Sequence, residues 1–201
     1  MQSFDELTIG IEEEYQIVDS ESRELTSFVS EFLEQGAVLF RDHVKPEFLQ
    51  SQIDLGSRVC KNIGEARKEI CRLRNMVSDI AEKNNCRIFA AGTHPFSKWE
   101  DQLVTNKERY WGLLDSMQIV AKRLLIFGMH VHIGIKDRDL QIDIMNQMRY
   151  SMPHILTFST SSPFWLGQKM GLNRTAALFL KTSPSPAFMK GLNHRLNMIN
   201  T

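Results

Sequence analysis

Apolar and polar residues alternate between Thr8 and Val18, near the start of the chain. The apolar side chains fall mostly at odd positions, and a period of two is typical of a β-strand rather than of a helix. In such a strand Glu12 and Glu14 point to the same face of the sheet. Neighbouring carboxylates repel one another unless a cation lies between them or water surrounds them. A divalent cation and a solvated polar face of an edge strand both explain the pair, and other segments must decide.

Two later segments show a similar alternation. Within residues 43–56, an extended segment bounded by Pro46 and Gly56 is predicted, with Asp54 at one of its polar positions. Another strand is predicted from Leu125 to Ile135, and in it His130 and His132 share a face. If the first two strands lie side by side, Asp54 adds an oxygen ligand to the face that carries the glutamates. The paired histidines are a second set of metal-binding side chains.

The candidate metal ligands are Glu12, Glu14, Asp54, His130 and His132. Carboxylates outnumber imidazoles and no cysteine belongs to the pattern, which favours the hard cations Mg²⁺ or Mn²⁺ over zinc. Zinc held by the two histidines stays open as an alternative. A hydrogen-bonded structural role is the other alternative for each histidine.

Helical patterns separate these strands. A short helix is predicted to end at Gly36, where a residue with positive φ is allowed. Apolar residues spaced three and four apart predict a long amphipathic helix from Ile63 to Asn84. A further helix is predicted from Asn106, and another is capped by Asp137 and interrupted at Pro153.

The remaining segments predict one more strand and a tail. A short apolar run from Cys86 to Gly92 predicts a buried strand that delivers Thr93 and His94 to its end. No period can be assigned after about Gly171, so residues 172–201 are predicted to be a poorly ordered tail.

Composition narrows the class of protein. The 201 residues are enough for one sizeable hydrophobic core. Lysine plus arginine and aspartate plus glutamate both number 24, so the net charge is zero and no nucleic-acid partner is expected. Cys60, Cys71 and Cys86 lack the spacing of a metal or redox motif, which is typical of reduced thiols. With neither a secretory signal nor an apolar run of membrane-spanning length, a soluble cytoplasmic protein with no membrane partner is expected.

The local signatures of four common enzyme designs are absent from the sequence: the phosphate loop, the GxGxxG turn, the nucleophile elbow and the HExxH zinc helix. A nucleotide would therefore have to bind in another way. An acidic sheet face can hold ATP through metal ions that bridge its phosphates, with arginines such as Arg109 and Arg149 neutralising charge. A surface or ion-pair role is the alternative for each arginine.

Six short segments resemble, in the same order, motifs of the carboxylate–amine ligases of the glutamate–cysteine ligase family, in its YbdK-like branch. The segments are Gly10–Tyr15, Pro46–Gln52, Ala91–Phe96, Glu108–Tyr110, Gly128–Gly134 and Ser161–Trp165. Each would be weak alone. Their common order makes the resemblance specific.

The resemblance implies an α+β fold like that of glutamine synthetase, with a curved, mainly antiparallel sheet and flanking helices. It implies that ATP and Mg²⁺, or Mn²⁺, bind on the concave face of this sheet. It also implies a reaction in which the side-chain carboxylate of L-glutamate is phosphorylated and the amine of L-cysteine displaces the phosphate, giving γ-glutamylcysteine and ADP. Nothing in the sequence selects cysteine over another amine.

Residue by residue, the resemblance implies that Glu12 and Glu14 are metal ligands of the first strand. It implies that His130 is the histidine ligand of the later strand, with His132 as its neighbour. Asp54 stands where the family more often has glutamate, which keeps the charge but shortens the side chain by one methylene group.

The resemblance further implies contacts to nucleotide or substrate. Thr93 and His94 are expected at the cofactor, and Arg109 and Arg149 are expected at the substrate or at phosphate. The expected partners are therefore small molecules, namely glutamate and cysteine or another amine. A homodimer is an oligomeric state that the sequence leaves open.

Members of the family continue well beyond this length. Residues 1–171 are predicted to be the N-terminal part of a catalytic domain, and residues 172–201 a divergent tail of a truncated or frameshifted gene product. An inactive relative that binds metal or nucleotide is the alternative function. A zinc hydrolase using His130 and His132 is a third hypothesis.

Overall fold

The structure is a computed structural model, and it describes residues 7–40, 43–171 and 175. Five helices and seven strands have defined bounds within those residues. The strands are β1 (Thr8–Asp19), β2 (Val44–Pro46), β3 (Gln52–Gly56), β4 (Cys86–Phe89), β5 (Met129–Gly134), β6 (Phe164–Trp165) and β7 (Gln168–Lys169). The helices are α1 (Val29–Phe40), α2 (Ile63–Lys83), α3 (Glu108–Met117), α4 (Ile119–Lys122) and α5 (Arg138–Phe158).

Strand β1 is the centre of a five-stranded sheet. On one edge it pairs with β3, which in turn pairs with β2. On the other edge it pairs with β5 along its first half and with β4 along its second half. All of these ladders are antiparallel. The predicted α+β fold with a mainly antiparallel sheet and flanking helices is confirmed.

Two helices cover one face of this sheet because the odd-numbered residues of β1 are apolar beyond Glu13. Tyr15 and Ile17 are buried on that face, in a core that also contains residues of β3, α1 and α2. The side chains at its centre are almost fully buried; they are Ile17, Phe32, Ile53, Leu55 and Val77. The opposite face of the sheet is left to the even-numbered, polar residues of β1.

The predicted helices form, with differences at single residues. Helix α2 begins after Asn62, whose side chain accepts a hydrogen bond from the Glu65 backbone N–H. The predicted end of the first helix at Gly36 is wrong, because Gly36 is buried and α1 continues to Phe40. The predicted interruption at Pro153 is also wrong: α5 runs through this residue, which removes only one backbone donor from a long helix.

Helix α5 and one face of β5 are exposed. Asp137 caps α5 as predicted, by accepting bonds from two backbone N–H groups of the first turn. None of the described residues of α5 is buried. Met129 and Val131, on the helix-side face of β5, are 63% and 56% exposed. The sheet therefore ends at β5 with an apolar surface that no described element covers.

The predicted tail, residues 172–201, lies outside the described residues except for Thr175. The backbone N–H of Thr175 donates to the Ser162 carbonyl oxygen at 3.0 Å. Among the residues that the structure describes, no helix is long and apolar enough to cross a bilayer.

Candidate functional site

The five predicted metal ligands lie on one face of the sheet. Cross-strand partners point to the same face, and Glu14 of β1 is the partner of Asp54 in β3. On the other edge of β1, Glu12 is the partner of His130, and Gly10 is the partner of His132. The register thus brings together side chains that are far apart in the sequence, on the face that α1 and α2 do not cover.

Glu12 lies against both histidines. Its Oε2 atom lies 3.1 Å from His130 Nδ1 and 3.4 Å from His132 Nε2. The two imidazole rings are 6.2 Å apart between centroids. Glu12 is partly exposed, so a ligand from solvent has access to this side of the cluster.

Glu14 is held in place by neighbours on both edges of β1. Its Oε2 atom accepts a 2.8 Å hydrogen bond from the Gly128 backbone N–H and one of 3.3 Å from Gln52 Nε2. The Glu14 backbone N–H in turn donates to the Gly128 carbonyl oxygen at 2.9 Å. These bonds fix the direction of the Glu14 carboxylate towards the polar face.

Asp54 is the most perturbed group of the cluster. Burial raises the pKa of Asp54 to about 9, with further upward contributions from a hydrogen bond to Glu12 and from the charges of Glu12, Glu47 and Glu14. Only 6% of Asp54 is exposed. The Asp54 carboxyl therefore holds a proton more readily than an ordinary aspartate in the metal-free chain. Four carboxyl groups share this face, and a cation would offset their repulsion.

Glu47 is the member of this cluster that the ligand prediction missed. It follows β2 directly, is buried, and accepts a hydrogen bond from the Phe48 backbone N–H at 3.1 Å. From the sequence, Glu47 could be recognised only as one of the polar positions of residues 43–56, with no sign that it is a ligand. Its charge acts on Asp54, and this contact arises only when β2 and β3 pair.

The types of donor fit a hard divalent cation. Carboxylate oxygens outnumber imidazole nitrogens here, as Mg²⁺ and Mn²⁺ sites require. Across the residues that the structure describes, however, no three His, Cys, Asp or Glu side chains already surround one point where a metal ion could sit. The side chains bond to one another instead. Glu12, Glu14, Asp54 and Glu47 with His130 could hold the cation.

Thr93 and His94 have structural surroundings. The Thr93 hydroxyl donates to the Phe164 carbonyl oxygen at 3.1 Å. His94 is 1% exposed; its Nδ1 accepts from the Ser97 backbone N–H at 2.9 Å, so Nε2 carries the proton and donates to the Arg23 carbonyl oxygen at 3.0 Å. Burial lowers the pKa of His94. The geometry favours a structural role for both side chains over contact with a nucleotide.

The two predicted arginines lie in different places. Arg109 donates to the Tyr110 hydroxyl and stacks on its ring, with the guanidinium carbon 4.5 Å from the ring centroid. The Tyr110 hydroxyl donates to the Pro46 carbonyl oxygen at 3.3 Å, next to Glu47. Arg109 is thus linked to the edge of the acidic face. Arg149 lies on the exposed helix α5, and the structure does not bring it to the cluster.

On the opposite face of β1, Glu13 is neutralised. Arg74 of α2 donates to both carboxylate oxygens of Glu13, and the Tyr15 hydroxyl donates to Oε2 at 2.9 Å. Burial and the Glu13 charge raise the pKa of Tyr15 to about 12, and the hydrogen bond to Glu13 raises the pKa of Arg74. Glu13 therefore ties β1 to α2 and adds no uncompensated charge behind the cluster.

Two solved structures share this fold. Glutamate–cysteine ligase from Francisella tularensis, determined in complex with AMP, superposes with a TM-score of 0.53 at 17% identity, over 71% of this chain and 30% of that protein. A bifunctional glutathione synthetase from Pasteurella multocida superposes with a TM-score of 0.51 at 17% identity, over 72% of this chain and 19% of that protein. The class of fold is therefore that of a glutamate–cysteine ligase.

The sequence comparison assigns the family. The profile of glutamate–cysteine ligase family 2 matches residues 8–188. A protein provisionally named glutamate–cysteine ligase 2 from Herpetosiphon aurantiacus is 50% identical over 177 residues, which are 88% of this chain and 46% of that protein. One of the same provisional name from Roseiflexus sp. (strain RS-1) is 46% identical over 185 residues, which are 90% of this chain and 49% of that protein.

The chain belongs to glutamate–cysteine ligase family 2, as its six motifs predicted. It spans about half the length of the curated relatives that it matches.

Proposed function

We propose that the chain carries the metal-binding half of an ATP-dependent carboxylate–amine ligase. The reaction joins the side-chain carboxylate of L-glutamate to the amine of L-cysteine, or of another small amine, and yields γ-glutamylcysteine, ADP and phosphate. The observation that carries the proposal is the convergence of Glu12, Glu14, Asp54 and His130 on one face of the sheet. Membership of the family supports the reaction class.

The proposed chemistry explains why an acidic face is useful. A carboxylate does not react with an amine, because oxide is a poor leaving group; transfer of the terminal phosphoryl group of ATP to one carboxylate oxygen makes that oxygen part of a good leaving group. The amine nitrogen then attacks the carbonyl carbon, phosphate departs, and the amine loses a proton. Bound Mg²⁺ or Mn²⁺ would offset charge on the phosphates during the transfer.

The described residues have separate tasks in this proposal. Glu12, Glu14 and Asp54 would hold the cations through their carboxylate oxygens. Gly128 and Gln52 orient Glu14 through their hydrogen bonds to its Oε2 atom. His130 supplies an imidazole, oriented by its contact with Glu12.

Arg109 is the better supported of the two proposed phosphate contacts. Its guanidinium is linked through Tyr110 to the backbone beside Glu47, so its charge lies at the border of the acidic face. Arg149 would have to approach from α5, and no contact in the described part of the chain supports that approach. Thr93 and His94 are proposed to support the cofactor site only indirectly, through the loop that they fix.

An inactive module that binds metal or nucleotide is the second candidate function. One observation favours it: Glu14, Asp54 and Glu47 meet through strand pairing within this chain, so the acidic face forms without any group that turnover would need besides it. Binding and turnover can therefore separate. For either candidate we propose a cytoplasmic location, which agrees with the three cysteines being free thiols.

The deciding experiment measures binding and turnover on the same preparation. Mn²⁺ binding to the purified 201-residue chain is followed by electron paramagnetic resonance, and ADP release is followed with ATP, Mg²⁺, glutamate and a panel of amines. Glu12→Gln should abolish both signals. Glu82→Gln is the matched control, because Glu82 pairs with Arg87 at the surface.

ADP release that requires glutamate and an amine would support the ligase. Mn²⁺ or nucleotide binding without turnover would support the binding module. A folded chain that binds no Mn²⁺ would contradict the metal site, and with it both candidates.

A further inference from the structure

Gly128 lies against two of the proposed metal ligands. A Cβ atom built on Gly128 would be 3.7 Å from Glu14 Oε2, 3.9 Å from His130 Cε1 and 4.0 Å from His130 Nε2. Glu14 and His130 come from different strands, so their side chains meet over the α-carbon of this one residue. A carboxylate oxygen and an imidazole nitrogen converge here on a space that any side chain would fill.

The backbone conformation does not require glycine at this position. The glycines with positive φ in the described part of the chain are Gly167 and Gly171. Alanine can therefore adopt the backbone of Gly128 without strain, and its methyl group would make only ordinary van der Waals contacts in the metal-free chain. What alanine would take away is space between the two ligands.

Gly128 also orients one of these ligands directly. Its backbone N–H donates to Glu14 Oε2 at 2.8 Å, and its carbonyl oxygen accepts from the Glu14 backbone N–H at 2.9 Å. This pair of bonds keeps the Glu14 carboxylate beside the α-carbon of Gly128. Gly128 thus leaves the space empty and also orients the Glu14 carboxylate beside it.

We infer that Gly128 is a positioning residue of the cation site, whose missing side chain leaves room for the cation and its remaining oxygen ligands between Glu14 and His130. The inference rests on the proposed metal site and deepens it. Mg²⁺ and Mn²⁺ keep several water or substrate oxygens in their coordination shell, so a methyl group in this space displaces a ligand. Mutations of residues that orient metal ligands commonly reduce metal affinity about 10- to 100-fold.

The test compares two alanine substitutions on the same sheet. Gly128→Ala should weaken Mn²⁺ binding to the 201-residue chain at least about tenfold, as measured by electron paramagnetic resonance, with an unchanged urea-unfolding midpoint in the absence of metal. Gly56→Ala is the matched control. Gly56 is the cross-strand partner of Glu12, but a Cβ atom on Gly56 would meet no atom within 4 Å. The Mn²⁺ affinity of the Gly56→Ala chain should therefore stay within about twofold of that of the original chain.

The outcomes separate this inference from the proposed function. Equal Mn²⁺ affinities for the original chain and Gly128→Ala would overturn the role of Gly128 and leave the metal site standing. An original chain that binds no Mn²⁺ would overturn both. A Gly128→Ala chain that does not fold without metal would contradict the contact distances given above and would also overturn the inference.

Discussion

Three consecutive glutamates in β1 have three different surroundings. Glu12 contacts both histidines, Glu14 accepts bonds from Gly128 and Gln52, and Glu13 is paired with Arg74 on the opposite face. The strand period separates Glu13 from Glu12 and Glu14, because neighbouring residues of a strand point to opposite faces. The same residue type therefore provides candidate ligands on one face and a structural ion pair on the other.

His94 predicts an acid-sensitive stability. Its folded-state pKa is lowered by burial, so the unfolded chain takes up a proton below the ordinary pKa of about 6.5 while the folded chain stays neutral. The contribution of His94 to the free energy of unfolding should therefore fall as the pH drops below about 6.5, by up to about 1.4 kcal/mol per pH unit for one proton, whereas the raised pKa of Asp54 acts in the opposite direction over the same range. Urea unfolding at pH values from 7.5 down to 5.5, in roughly half-unit steps, measures this slope.

His94→Asn should be less stable at every pH, and its loss of stability relative to the original chain should shrink as the pH drops over the same range, because only the original chain loses the contribution of His94. His154→Asn serves as the control, because His154 lies on the exposed surface of α5. Parallel slopes for the original chain and His94→Asn would show that other groups cause the acid sensitivity.

The link between α2 and β1 predicts a stability effect of Arg74. Arg74→Met removes both donors from the Glu13 carboxylate, which is 5% exposed and keeps only the Tyr15 hydroxyl. An under-bonded buried group costs about 1–3 kcal/mol, more for a charge, and we expect the lower part of that range because the Arg74 side chain is 48% exposed. The urea-unfolding midpoint of the metal-free chain measures the loss.

Arg87→Met is the control for Arg74→Met. Arg87 pairs with Glu82, and both side chains are about half exposed, so removal should change the stability by less than about 0.5 kcal/mol. Similar losses of stability in Arg74→Met and Arg87→Met would mean that the Glu13–Arg74 pair stabilises the fold no more than a surface ion pair does.

The N-terminus of α2 gives an independent test of a single helix end. Asn62→Ala removes the side-chain oxygen that accepts from the Glu65 backbone N–H at 2.9 Å. Loss of such a cap costs about 1 kcal/mol. Asn62→Asp keeps the acceptor and should retain the stability, whereas equal midpoints for all three chains in urea would contradict the capping role.

Sequence patterns predicted the properties that are local to one strand, but not the pairing of strands. The period of two placed Glu12 with Glu14 and His130 with His132 on shared faces, because that property is local to each strand. The pairing of Glu14 with Asp54 is not local; it depends on how β1 and β3 align, which the sequence does not display. From the sequence, Asp54 could be included only on the condition that the two strands lie side by side.

The sequence patterns missed or misjudged four positions. Glu47 lies just outside a strand, where no period applies, and Gly128 matters only through its approach to side chains of another strand. Gly36 and Pro153 have the residue types that usually end helices, yet packing at Gly36 and the length of α5 outweigh those tendencies. Tertiary contacts decided Glu47, Gly128 and Gly36, whereas the length of the helix decided Pro153.

The uncovered surface of α5 and β5 predicts self-association of the chain. Ile142 and Met145 of α5 are 57% and 66% exposed, as are Met129 and Val131 of β5 at 63% and 56%. Apolar surface of this kind drives association in water. Sedimentation should show a concentration-dependent dimer or larger species, and Ile142→Glu with Met145→Glu should shift it towards monomer.

Gln141→Glu with Gln147→Glu is the control for these charges, because both positions are polar and exposed on the same helix. A chain that stays monomeric at all concentrations would contradict the prediction. A homodimer that the charges abolish would agree with it.

The ladder between β1 and β5 also has a consequence for the order of folding. Glu12 and His130 are 118 positions apart in the sequence, so the ladder between their strands closes the largest loop in the sheet. Closing a large loop costs entropy before its contacts can form, and such contacts slow folding. The metal site should therefore form late in folding. During synthesis on the ribosome, Glu12 and Glu14 emerge long before His130, so the site cannot form until most of the chain has been made.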